Sequence, residues 1–235
     1  MAVVVVMPTY NERDNIERLA RSVLEQPCQP HLLVVDDGSP DGTAEIVTLL
    51  AAEHPGRLSL LSREAKTGLG RAYAAGFAVA LADHAPDAVV QMDADGSHDP
   101  ADIDRLVDEL AGADLVIGSR YIPDGDVIGW SKHRELLSRA GNAYARMVLG
   151  SPFRDLTGGF KAWRGELLAK LDAATTASDG YAFQIEMTMR AEAIGARIVE
   201  VPIVFRERVA GTSKMSGRIA FEALRGVPAM RRGFH

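Results

Sequence analysis

The chain has 235 residues, 47% of them hydrophobic and 25% charged, with a formal net charge of −6 and one cysteine. That length and apolar content suit a single α/β unit with a substantial core, and the lack of repeats, low-complexity tracts and long like-charge runs excludes a solenoid or a disordered tail. A lone Cys28 excludes an intramolecular disulfide and fits a reducing compartment, the Val3 to Val6 run is too short for a signal-peptide core, and no apolar run approaches the ~20 residues of a membrane span.

Val3 to Met7 is a continuous β-branched run, as in a strand buried on both faces, and it stops at Pro8-Thr9-Tyr10-Asn11-Glu12. A helix follows, with Ile16, Leu19, Ala20, Val23 and Leu24 at helical spacing. Leu32 to Val35 is the second strand, ending at Asp36-Asp37-Gly38-Ser39-Pro40-Asp41-Gly42-Thr43, and the next helix carries Ile46, Val47, Leu49 and Leu50. Leu58 to Leu61 reads as a third strand. An alanine-rich helix from about Arg71 to Ala82 comes next, packable at close range because its side chains are small.

The stretch Val89-Val90-Gln91-Met92-Asp93-Ala94-Asp95-Gly96-Ser97-His98 takes an apolar strand into two carboxylates spaced to share a ligand, then a glycine turn. Carboxylates at such a strand end are hard oxygen donors suited to Mg²⁺ or Mn²⁺ already bound to a diphosphate. Pro100 opens a helix striped by Ile103, Leu106, Val107 and Leu110, and Leu115 to Ile117 is a further strand ending at Gly118-Ser119-Arg120-Tyr121. The alternation implies a mostly parallel sheet with helices on both faces, which binds ligands at the carboxyl ends of its strands. Pro8 to Glu12 is a poor dinucleotide loop, and Gly68-Leu69-Gly70 is a weak phosphate-loop signal.

Beyond Tyr121, Pro123 to Trp130 reads as a mobile loop, followed by helices from Lys132 to Leu149, near Glu166 to Leu171 and from Tyr181 to Ile194, and a late strand over Arg197 to Phe205. Basic residues gather late, and the tail from Ser216 to Arg232 is weakly amphipathic with a kink at Pro228. The chain is therefore read as one domain over 1–235, with stretches at 1–122 and 123–215 and a C-terminal helix at 216–235.

Pro8 to Glu12, Val34 to Thr43, Asp93-Ala94-Asp95, Gly118 to Tyr121, Thr157-Gly158-Gly159-Phe160-Lys161 and Ser213-Lys214 occur in one order, and together they resemble the family 2 inverting glycosyltransferases of the dolichol-phosphate (polyprenol-monophosphate) mannosyltransferase kind. The resemblance runs from Val3 to about Lys214. It implies a GT-A fold, GDP-mannose as donor, a polyprenyl monophosphate as acceptor, and polyprenyl-phosphate β-mannose plus GDP as products. It also implies that 1–122 is a nucleotide-sugar half, 123–215 an acceptor half and 216–235 a membrane-surface helix.

By the same resemblance Pro8, Tyr10, Glu12, Val35 and Asp37 line the nucleotide pocket, with Val35 against the base, and Ala94 lies close to the sugar. Asp95 is the leading metal ligand and Asp93 the second. Many relatives carry glutamine where this chain has Ser97, which leaves Ser97 through water, or His98, as the further donor. Arg120 contacts phosphate, as guanidinium suits, and is read with Asp95 as catalytic. Arg208 and Lys214 sit on a late loop that folds over the donor. Arg134 resembles the acceptor-phosphate arginine, with Arg139 and Arg146 as alternatives in the same neighbourhood, and Asp36 reads as an acceptor for loop amides.

A phosphate monoester acceptor needs no protein base, since it is largely dianionic near neutral pH. The expected partners are GDP-mannose, a polyprenyl or dolichyl monophosphate, and the cytoplasmic face of a membrane, held peripherally or through a separate anchoring protein; a nucleic acid is not expected. A glucosyltransferase using UDP-glucose or another family 2 enzyme, a sugar nucleotidyltransferase and a catalytically silent nucleotide-binding subunit are the competing readings.

Overall fold

The structure, a computed structural model, describes residues 1–176, 178–207 and 226–231. The first half alternates as its hydrophobic periodicity requires: β1 (Val3–Thr9), α1 (Arg13–Leu24), β2 (His31–Asp36), α2 (Thr43–Glu53), β3 (Leu58–Ser62), α3 (Leu69–His84), β4 (Ala88–Gln91), α4 (Asp102–Glu109) and β5 (Leu115–Ser119). The second half is less regular, with β6 (Asp126–Ile128), α5 (Lys132–Leu149), β7 (Lys161–Arg164), α6 (Gly165–Leu171), α7 (Gly180–Ala193), β8 (Ile198–Pro202) and β9 (Val204–Arg206).

Seven strands form one sheet in the order β3-β2-β1-β4-β7-β5-β8, and a separate two-stranded sheet pairs β6 with β9. The large sheet is parallel except for β7, which runs antiparallel to both neighbours, β4 and β5. β1 lies between β2 and β4, so successive connections leave it in opposite directions and open a crevice above its carboxyl end.

Strand alternation divides the core between the two faces. Val3, Val5, Met7, Leu32, Val34 and Val90 pack with Ile16, Leu19, Val47 and Ile103 of the first, second and fourth helices. Val4, Val6, Leu33, Val35 and Val89 pack on the other face with Tyr73, Phe77, Leu167, Phe183 and Met187. Each such side chain stabilises the fold by roughly 1.5–3 kcal/mol when withdrawn from water. α3 approaches especially closely: a Cβ at Gly76 would stand 2.4 Å from Val6 Cγ1 and 2.8 Å from Val35 Cγ2, which explains a glycine in mid-helix.

α5 begins at Ser131, whose side chain accepts the Arg134 amide, and ends at Gly150 with φ 72°. It buries Asn142, Ala145 and Leu149 and leaves Leu136, Leu137 and Met147 exposed. The expected loop at Pro123 to Trp130 contains β6, and the expected single late strand divides at Ile203 into β8 and β9, because Ile203 and Pro202 carry the chain from one sheet to the other. Residues 226–231 are helical, with Val227 buried against Ala145, Leu149 and Ile185. The rest of the expected surface helix at 216–235 lies outside the described residues. Among the described residues no helix is long and apolar enough to cross a membrane.

Candidate functional site

β1 and β2 end level, with Thr9 opposite Asp36. The Asp36 carboxylate accepts the Thr9 hydroxyl at 2.9 Å, the Ser39 hydroxyl at 2.6 Å and the Ser39 amide at 2.9 Å, so it fastens the turn and acts on loop groups as its sequence position indicates. Asp37 instead reaches the crevice. Its Oδ1 accepts Arg63 Nη1 at 2.6 Å, and burial pushes its carboxyl upward against the opposing pull of Arg63. Lys66 stands 4.4 Å from the centre of the Tyr10 ring.

β4 ends one residue before Met92, and the next turn aims the acidic pair. Asp93 Oδ1 accepts the Tyr73 hydroxyl at 2.8 Å, the Asp93 amide donates to His98 Nδ1 at 3.1 Å, and Asp95 Oδ1 accepts the Ser97 amide at 3.0 Å. Gly96, at φ 78°, supplies the left-handed turn between them. The Gly159 backbone passes so close that a Cβ there would lie 3.1 Å from Asp93 Oδ2. His98 is buried against Phe160 at 4.8 Å between ring centres, and burial lowers its affinity for a proton despite Asp93 and Asp95 nearby. Its Nδ1 is committed to the Asp93 amide, which places it behind the carboxylates as a positioning group.

Arg120, at the end of β5, is 4% exposed. Its Nε and Nη2 meet the two oxygens of Asp155 at 2.7 and 2.6 Å, and Nη2 also donates to Thr157 Oγ1 at 3.0 Å. Two of its three nitrogens are thus held by a buried pair, in which burial opposes both charges and their mutual attraction prevails: Asp155 is driven down and Arg120 up. Arg134 donates to Glu207 at 2.9 Å and lies 4.0 Å from the Trp130 ring centre, and its Nε is buried without a partner among the described residues. The β6–β9 pair holds Trp130 against Phe205 at 5.3 Å.

These groups meet in one cavity of about 310 Å³. Its lining includes Pro8, Tyr10, Glu12, Asp37 and Lys66, the acidic turn at Asp93, Ala94 and Asp95, and Arg120, Arg134, Trp130 and Phe205. Val35 is not part of this lining. Strand alternation turns its side chain into the core against Gly76. Ser97 is buried beside the acidic turn, and its hydroxyl has no hydrogen-bond partner among the described residues. Arg208 and Lys214 lie outside the described residues.

The donor set fits a hard divalent cation: two carboxylates on one turn and an unpartnered buried hydroxyl next to them. Among the described residues no group of three or more histidine, cysteine or acidic side chains is placed to hold a metal ion. Several residues of the site carry no sequence pattern. Tyr73 fixes Asp93 from an alanine-rich helix, Asp155 holds Arg120 from an irregular turn, and Gln184 enters the wall from α7. Cys28 stands apart from this cavity, half-buried, its thiol pushed up to about 12 by burial and Asp104, which disfavours the thiolate.

Residues 4–173 match the model of "Glycosyl transferase family 2". The chain is 48% identical to a polyprenol monophosphomannose synthase of Mycolicibacterium smegmatis, over 94% of this chain and 83% of that one. It is 44% identical to an undecaprenyl-phosphate mannosyltransferase of Micrococcus luteus, over 95% of this chain and 91% of that one. The glucosyl-3-phosphoglycerate synthase of Mycobacterium tuberculosis, crystallised with Mn²⁺, UDP-glucose and phosphoglyceric acid, superposes with a TM-score of 0.72 at 24% identity, over 99% of this chain and 80% of that one. The fold is of the GT-A kind, a mostly parallel sheet flanked by helices.

Proposed function

The chain belongs to glycosyl transferase family 2, and on that premise we propose that this glycosyltransferase moves mannose from GDP-mannose to a polyprenyl (dolichyl-type) monophosphate with inversion. The observation that carries this reading is one cavity lined by two strand-end carboxylates, Asp93 and Asp95, and by two arginines, Arg120 and Arg134. The names of the two bacterial relatives supply the sugar and the acceptor class.

A polyprenyl monophosphate is largely dianionic near neutral pH, its second pKa being about 6, so its oxygen attacks the anomeric carbon without first losing a proton to the protein. As the new C1–O bond forms, the bond from C1 to the GDP β-phosphate breaks from the opposite side, giving the β product and GDP. The protein's task is to hold two mutually repelling phosphates in line. Asp93 and Asp95, with Ser97, would hold a Mg²⁺ or Mn²⁺ ion, which when bound neutralises charge on the departing diphosphate. Arg134, and Arg120 through the nitrogen that Asp155 leaves over, are the groups proposed for the acceptor phosphate. Pro8, Tyr10, Glu12 and Asp37 are proposed for the nucleoside.

The acceptor lies in a membrane. The exposed Leu136, Leu137 and Met147 of α5, with Arg139 and Arg146 on the same helix, support peripheral contact with the cytoplasmic leaflet, directly or with a separate anchoring protein. Flotation with anionic liposomes at low salt tests direct contact, and failure to co-migrate overturns it. The reaction is tested by incubation with labelled GDP-mannose, Mg²⁺ or Mn²⁺ and a polyprenyl phosphate, followed by organic extraction. Label in the lipid phase, competed by unlabelled GDP-mannose and not by UDP-glucose, is expected. Competition by UDP-glucose alone overturns the donor assignment.

A further inference from the structure

Behind the acidic turn a chain of buried amides runs from the core to the cavity wall. Trp163, fully buried on β7, donates from Nε1 to Gln91 Oε1 at 3.3 Å, and Gln91 Nε2 donates to Gln184 Oε1 at 2.7 Å. An indole nitrogen can only donate, so it fixes which end of the Gln91 amide is oxygen, and Gln91 in turn fixes which end of the Gln184 amide is oxygen. What remains is Gln184 Nε2. Gln184 is 2% exposed and lines the cavity with Asp93 and Asp95, and its amide nitrogen donates to no group among the described residues.

From this orientation we infer that Gln184 reads the transferred sugar, donating from Nε2 to a hydroxyl of the hexose. The inference rests on the glycosyl-transfer reading and adds to it a residue that selects the sugar. Three features support it. The nitrogen is a donor and cannot accept, so it suits a hydroxyl oxygen and offers nothing to a metal ion. Gln184 lines the same cavity as Asp93 and Asp95 and is hydrogen-bonded to Gln91, two residues before Asp93, at the strand end where the sugar of a metal-held diphosphate-sugar would lie. The relay holds it rigidly: Gln91 and Trp163 both have 0% exposure, as does Tyr73, whose phenol grips Asp93 nearby. A buried donor left unpaired by a sugar of the wrong configuration makes a strong discriminator, because the mismatch leaves it without water as well as without the hydroxyl.

The test uses Gln184→Glu, which keeps the shape and removes the donor, and Trp163→Phe, which keeps most of the packing and frees the relay to flip. Affinities for GDP and UDP, and transfer from GDP-mannose, GDP-glucose and UDP-glucose, are measured for the wild-type chain and both variants. For whichever donor the wild-type chain prefers, Gln184→Glu is expected to lower kcat/KM about tenfold to a hundredfold with nucleoside diphosphate affinity unchanged. Trp163→Phe should narrow the preference between epimeric sugars. Unchanged kcat/KM and preference in Gln184→Glu, or an equal loss of nucleoside diphosphate affinity, overturns the inference. A wild-type preference for a donor other than GDP-mannose overturns the proposed donor and leaves this comparison intact.

Discussion

Arg120 and Asp155 form a two-pronged ion pair, Nε to Oδ2 at 2.7 Å and Nη2 to Oδ1 at 2.6 Å, with the Arg120 amide adding a third bond to Oδ2 at 2.9 Å. Removing one member strands the other charge in the core. Asp155→Ala should destabilise the fold by about 3–5 kcal/mol, whereas Arg120→Met combined with Asp155→Leu should recover most of that loss. Urea denaturation reads both. Equal stability of Asp155→Ala and wild type contradicts the pairing, and substantial transfer by the stable double variant contradicts a role for Arg120 with substrate.

Lys161 gives a pH signature. It is fully buried, its Nζ donates to the Gln184 carbonyl at 2.8 Å and to Thr188 Oγ1 at 2.9 Å, and burial lowers it from 10.5 to about 7, with Asp155 opposing. Between those values the unfolded chain holds a proton that the folded chain lacks, so this group makes stability rise with pH across that window. The slope approaches about 1.4 kcal/mol per pH unit. Lys161→Met should remove that part of the slope and be the more stable protein at neutral pH. Denaturant midpoints from pH 7 upward decide, and parallel slopes in the two proteins contradict the assignment.

Gly76 separates intrinsic helix preference from packing. In an exposed helix Gly→Ala gains about 1 kcal/mol, yet here the new Cβ would overlap Val6 at 2.4 Å. Gly76→Ala should therefore cost about 1–3 kcal/mol, and Val6→Ala in the same chain should relieve part of it. A Gly76→Ala protein that melts above wild type contradicts the close seat of α3.

Ser97 has a buried hydroxyl with no partner among the described residues, so its removal costs the metal-free fold nothing but a small methyl-sized change. Ser97→Ala should melt like wild type in chelator, within about 0.5 kcal/mol, and should bind Mn²⁺ with GDP several-fold more weakly. Calorimetric titration of Mn²⁺ into the GDP complex checks this, and an unchanged affinity removes Ser97 from the donor set.

The first half of the fold was legible because its strands are short apolar runs ending at polar clusters and most of its helices carry an apolar stripe: Val3 to Met7 and Ile103 to Leu110 leave little choice. α5 matches its expected span because Ser131 and Gly150 punctuate it. β7 was not legible, since Lys161-Ala162-Trp163-Arg164 has neither alternation nor length, and its place depends on two flanking strands far away in sequence. The acidic pair marked the candidate site through residue type, and both carboxylates line the cavity. The groups that aim them, Tyr73, His98 Nδ1, Asp155 and the Trp163–Gln91–Gln184 relay, act across contacts between elements that a linear reading does not contain. The Val35 side chain packs in the core, as strand alternation from Val34 dictates.

The central claim is that the Asp93–Asp95 turn gathers the donor diphosphate through a divalent ion while arginines face it. An anomalous difference map from crystals grown with Mn²⁺ and GDP-mannose tests it most directly. A manganese peak at Asp93 and Asp95, with the diphosphate beside it and the nucleoside toward Tyr10 and Asp37, is the predicted result; manganese elsewhere, or a nucleotide lodged outside this cavity, contradicts the account.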